Sequence, residues 1–174
     1  MILLIDGRSG SGKSELATLL AERLDAQLVR LDDVYPGWDG LDAASAAVPG
    51  ILTAGLWRRW DWEAGAPAEE HVLDLARPVI VEGVGALSRA SRPLADHALW
   101  VELDAATRKR RALARESYFA QHWGAWAAQE DRFIAREDPR ALADATVDGR
   151  SVAEAVDAIV LGLDPSRASG TVQE

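Results

Sequence analysis

Residues Gly7 to Ser14 read GRSGSGKS, and their setting constrains this chain more than any other feature. The octet follows the apolar run Ile2–Ile5, which suits a buried parallel strand. It opens a stretch from Lys13 to Leu24 in which Leu16, Leu19, Leu20 and Leu24 recur at helical spacing. A glycine- and serine-rich linker has no reason to stand between a strand and the helix it feeds. A phosphate cradle does: glycines turn backbone amides toward an anion, and the helix that follows adds its positive end. Gly7, Gly12, Lys13 and Ser14 occupy the fixed places of G-x-x-x-x-G-K-[ST]. The residues expected to bind a nucleoside triphosphate are Gly7, Ser9, Gly10, Ser11, Gly12, Lys13, Ser14 and Glu15. Lys13 is expected on the β- and γ-phosphates, and the Ser14 hydroxyl on Mg²⁺.

The rest of the chain repeats the strand–helix alternation. Strands are expected at Gln27–Leu31, Val79–Gly83, His97–Leu103 and Ala145–Gly149. Helices are expected at Leu41–Val48 (stopped by Pro49), Ala105–Arg115, about Tyr118–Arg136, and from a Ser151/Glu154 capping box to about Leu163. This alternation predicts an α/β fold of three layers, with a mainly parallel central sheet between helices. Its ligands belong at the carboxyl ends of the strands. A length of 174 residues suits one domain, taken as 1–164 with a frayed tail at 165–174.

Bulk properties exclude several functions. The chain has no cysteine, so disulfides and thiolate metal sites are absent, which is compatible with a cytoplasmic location. No apolar run approaches the roughly 20 residues of a membrane span. A net charge of −9 opposes binding to nucleic acid. The expected partner is a small molecule, with a homodimer left open. There is no asparagine in the chain, so the Asn-Lys-x-Asp guanine loop of a Ras-type GTPase cannot be built.

Three groups of residues follow the expected strands. Asp32 and Asp33 stand after the second, where a carboxylate can orient an acceptor hydroxyl and take its proton. Glu82 closes VIVE and suits Mg²⁺. In TRKRRALARE, residues 107–116, Arg108, Arg111 and Arg115 fall on one helical face, suited to cover transferring phosphates. The segment LWRRWDWEAG, with Tyr35 and Trp38, offers an acceptor pocket of aromatic faces with Arg58 and Asp61. The alternation Trp60-Asp61-Trp62 fits equally a strand with one buried face. Trp123 and Trp126, three apart on an expected helix, read as packing residues.

The cradle, DDVYP, VIVEG and LDAATRKRRALARE, in this order, resemble the uridine kinase-like group of P-loop kinases. The resemblance implies a P-loop NTPase fold with an Arg-rich lid at about 105–136. It implies an ATP- and Mg²⁺-dependent kinase of a small hydroxylated molecule, a nucleoside first and a nucleoside monophosphate, sugar or vitamin-like alcohol next. By the same resemblance Asp32 is the general base and Tyr35 lines the acceptor pocket. Ser14, Asp32 and Glu82 then surround the metal, and Arg108, Arg111 and Arg115 form the lid. A non-catalytic nucleotide-binding protein is the alternative from another class.

Overall fold

The computed structural model describes residues 1–115 and 119–163, so the expected tail and three residues of the expected lid lie outside it. Five strands form one parallel sheet: β1 (Ile2–Asp6), β2 (Gln27–Arg30), β5 (Val79–Glu82), β6 (His97–Glu102) and β7 (Ala145–Asp148). Their spatial order is β2-β5-β1-β6-β7. β1 is central, with Ile5 in register with Glu82 on one side and Asp6 with Trp100 on the other. The sheet therefore divides at β1, and the loops leaving β1 and β5 diverge from a shared crevice.

Strand alternation distributes the core to two faces. Leu3 and Ile5 point to the side packed by α1 (Lys13–Leu24) and α6 (Val152–Gly162). Leu4, Val79 and Val81 point to the other, packed by α2 (Leu41–Ala54) and α4 (Phe119–Glu137). α3 (Ala105–Arg115) follows β6, and the short α5 (Pro139–Leu142) precedes β7. Among the described residues no helix is long and apolar enough to cross a membrane.

Two local expectations are corrected. α2 does not stop at Pro49 but carries it inside and runs on to Ala54. A proline there costs about 3 kcal/mol through its missing N–H and ring clash. Burial of Val48, Ile51 and Leu52 against the core offsets it. Ser151 does precede α6, but its side chain makes no capping hydrogen bond.

The tryptophan-rich segment is a strand. β3 (Leu56–Asp61) pairs antiparallel with β4 (Ala66–Val72) in a separate two-stranded sheet. Arg58 pairs with Glu70 and Arg59 with Glu69, on exposed positions of this hairpin. The Trp57 ring stacks on His71 at 4.3 Å. At the tip, Trp62 Nε1 donates to the Asp32 carbonyl at 2.9 Å, so the hairpin reaches back to the end of β2.

Candidate active site at the carboxyl ends of the strands

β1 ends in a loop whose glycines adopt backbone angles closed to other residues. Gly10 has φ 79°, and a Cβ there would overlap the Arg108 carbonyl oxygen. Gly149, after β7, packs so closely that a Cβ would overlap the carbonyl of Ser11. The loop is thus gripped between α3 and the turn beyond β7. Gly7 and Ser11 form its underside, and the buried Ser11 Oγ has no hydrogen-bond partner among the described residues.

The upper side opens into a cavity of about 650 Å³, lined by Ser9, Gly10, Gly12, Lys13, Ser14 and Glu15. The volume falls within the usual range for small-molecule sites. Asp32, Asp33, Tyr35, Trp38, Trp62, Phe119 and Trp126 line the same space, with Trp126 beside Ser9. Cradle, carboxylates and aromatic side chains therefore share one space. Asp32 and Asp33 lie on a single 3₁₀ turn, Leu31–Asp33, directly after β2.

Charge is concentrated beneath this cavity. Lys13 is only 8% exposed, and its charge acts on two buried carboxylates, Asp6 and Glu82. Burial raises the Glu82 carboxyl above the ordinary range. The Lys13 charge opposes this, as does a hydrogen bond from Ser14, while Asp32 adds to it. Arg30 stands 3.8 Å from the Glu82 carboxylate. Burial likewise raises Asp33, with neighbouring Asp32 adding to the effect.

Among the described residues no group of three His, Cys, Asp or Glu side chains could hold a metal alone. The site offers instead the Ser14 hydroxyl and the Asp32 carboxylate on the cavity lining, both acting on the buried Glu82 carboxyl. These hard oxygen donors fit a Mg²⁺ that draws its remaining ligands from phosphate and water.

The expected lid residues part company. Arg111 lines the cavity and donates to the Gly149 carbonyl at 2.9 Å. Arg108 is buried and donates to the carbonyls of Leu103 and Ser9, at 3.0 and 3.4 Å, away from the cavity. The Arg115 side chain lies outside the described residues. Of the expected acceptor residues, Tyr35 and Trp38 line the cavity. The Tyr35 hydroxyl donates to the Val84 carbonyl at 2.8 Å. Arg58 and Asp61 do not line it. Asp61 accepts from the Ala64 and Glu63 N–H groups and shapes the hairpin turn.

Several site residues escaped sequence reasoning. Trp126 is the buried packing residue expected, 5% exposed, and it also lines the cavity and donates from Nε1 to Ser9 Oγ at 3.0 Å. Phe119 and His122 stack on Trp38, at 5.5 and 4.1 Å between centroids, completing an aromatic wall. Asp6, given no role from the sequence, is the last residue of β1. Its carboxylate accepts from the N–H groups of Gly7, Gly85 and Leu87 at 2.6 to 3.0 Å, which joins the cradle to the loop after β5. An acid closing an apolar strand, followed by glycine, was the available signal.

Asp6 is fully buried, and burial pushes its carboxyl up to about 7 against the pull of its N–H donors and Lys13. The unfolded value is near 4. Between those limits the folded chain holds a proton that the unfolded chain has released. Stability from this group therefore falls as pH rises from about 4 to 7 and is flat above. Glu82 and Asp33 act in the same direction. Urea unfolding between pH 5 and 8 is expected to show this decline, and Asp6→Asn is expected to flatten it without abolishing it. An unchanged slope in the variant rejects the assignment.

No family model matches the chain. Over 80 residues it is 35% identical to the cytidylate kinase of Rhodococcus jostii (strain RHA1), a match covering 42% of this chain. The chain thus spans about a third of that relative, 33% of its length. Among solved structures it superposes on a possible uridine kinase from Bacillus stearothermophilus with a TM-score of 0.59 and 20% identity. That superposition covers 85% of this chain and 88% of the other. A shikimate kinase from Acinetobacter baumannii, solved with shikimate, gives 0.58 and 14%, over 94% of both chains. A gluconokinase from Sinorhizobium meliloti 1021 gives 0.57 and 19%, over 96% of this chain and 92% of that one.

Proposed function

We propose that this chain, which has the fold of the P-loop kinases, transfers the γ-phosphoryl group of ATP to a hydroxyl of a small molecule, a nucleoside. The observation that carries the reading is the single cavity in which the cradle of residues 9–15 faces Asp32, Asp33 and a wall of aromatic rings. Simple nucleotide binding needs no carboxylates opposite the phosphates, and an aromatic wall suits a planar base. Among the described lining residues the cations are Lys13 and Arg111, one at the cradle and one beside Gly149. That distribution favours an uncharged acceptor.

In this reading the backbone amides of the cradle and the Lys13 ammonium hold the phosphates in line with the acceptor. Mg²⁺, held by Ser14 with Glu82 and Asp32, would neutralise charge on the phosphates. The Asp32 carboxylate orients the acceptor hydroxyl and receives its proton. The hydroxyl oxygen forms the new bond to phosphorus as the bond to the bridging oxygen breaks, and ADP leaves. Arg111 and the Gly149 turn flank the nucleobase of the donor. Trp62, Phe119 and Trp126 exclude water that would compete with the acceptor.

A second reading, a nucleoside monophosphate as acceptor, is favoured by the stretch shared with cytidylate kinase. ADP release measured over nucleosides, nucleoside monophosphates, sugars and vitamin-like alcohols separates the two. A nucleoside is expected to raise release well above the rate without acceptor, and its monophosphate to do so less. The reverse order establishes the second reading. No stimulation by any acceptor sinks the kinase reading in favour of a nucleotide-binding regulator.

A further inference from the structure

The crest of the cradle, Arg8 and Ser9, is held by a helix more than a hundred residues away. Every polar group of Ser9 is engaged from outside the loop. Its N–H donates to Glu130 Oε1 at 2.9 Å, its Oγ accepts from Trp126 Nε1 at 3.0 Å, and its carbonyl accepts from Arg108 at 3.4 Å. Glu130 is 1% exposed, and its second oxygen accepts from Arg8 Nε at 3.0 Å. Arg8 ends on the exposed Asp131 carboxylate at 2.6 Å. Burial opposes the Arg8 charge, but Glu130 and Asp131 more than offset it and hold the guanidinium above its ordinary range.

Trp126 and Glu130 are one turn apart on α4. The same helix face carries Phe119 and His122, stacked on Trp38. One face of α4 thus builds the aromatic wall and grips the phosphate loop. A loop with three glycines has many alternative shapes, and fixing it costs conformational entropy. A buried carboxylate with charge-assisted partners is a stiff anchor against that cost. It also occupies the Ser9 amide, so that an anion is directed to the amides further along the loop.

We propose that Glu130 and Trp126 are positioning residues: they preset the crest of the cradle for nucleotide and tie it to the acceptor wall. This rests on the kinase reading of the same site. The test is the affinity of the full chain for Mg²⁺–ADP by calorimetry, with tryptophan emission followed in the same titration. Glu130→Gln is expected to weaken binding about tenfold or more, with circular dichroism and cooperative unfolding retained. Asp131→Asn, which removes only the exposed partner of Arg8, is expected to stay within about fivefold of the parent. Trp126→Phe leaves the buried carboxylate in place and is expected to lose most of the emission change. That readout stands even if Glu130→Gln does not fold.

Parental ADP affinity in a folded Glu130→Gln variant overturns the proposal, as does a full emission change in Trp126→Phe. An equal loss in Asp131→Asn and Glu130→Gln also overturns it, because the effect then belongs to Arg8's charge balance. If the parent binds ADP and these variants behave like it, only this inference fails. A parent that binds no ADP removes the kinase reading as well.

Discussion

Lys13→Ala is expected to lower phosphoryl transfer by about 10³-fold and to weaken nucleotide binding. Two effects combine. The ammonium stands at the start of α1 on the floor of the cavity, where the other described lining cation, Arg111, is drawn to the Gly149 carbonyl. It is also the charge that opposes proton uptake by the buried Asp6 and Glu82 carboxyls. Removing it pushes both higher, so the pH-dependent decline in stability should extend further toward alkaline pH. Calorimetry with Mg²⁺–ADP reads the first effect and urea unfolding at pH 6 and 8 the second. Normal turnover in the variant undoes the cradle assignment. Weak binding with an unchanged stability profile removes the charge coupling to the two buried acids.

Asp32→Asn is expected to reduce transfer by about 10²-fold or more while ADP binding survives. The amide preserves the side chain's size and its place on the 3₁₀ turn but cannot accept a proton. The neighbouring Asp33 makes the experiment decisive, because it lines the same cavity and burial raises its carboxyl above the ordinary range. A group poised nearer neutrality is itself a candidate base. If Asp33→Asn abolishes transfer and Asp32→Asn does not, the base is Asp33, and the acid limb of the rate profile should then lie above the ordinary aspartate range. If neither variant slows transfer, the acceptor is not deprotonated by this turn.

The parts of the candidate site legible in the sequence are those written in consecutive residues. The cradle is legible because phosphate binding needs a particular order of glycine, lysine and serine between a strand and a helix. β1, β5 and β6 are legible as short apolar runs followed by polar turns, while β2 (QLVR) and β7 (ATVD) show mainly by their place in the strand–helix alternation. The hairpin of residues 56–72 was only half legible. The alternation around Trp60 permitted a strand, but nothing local said that Trp62 would fold back onto the Asp32 carbonyl. Helical periodicity put Arg108 and Arg111 on one face. It could not say that the first would turn to the Ser9 carbonyl and the second to the cavity, since α3 lies across the loop at an angle no local pattern records.

By itself, then, the sequence determined the fold class and placed the glycine-rich loop and the carboxylates after their strands, because each depends on residues near one another in the chain. Tertiary structure alone decided what surrounds them. It set Asp6 beneath the loop, brought Phe119, His122 and Trp126 against Trp38, and seated Glu130 on an amide 121 residues away. Such contacts are chosen by the packing of whole helices on a sheet, where burial of apolar faces fixes position and polar groups must then find partners. A tryptophan on an apolar helix face is the same residue whether it fills a core or walls a cavity. Only the space in front of it differs.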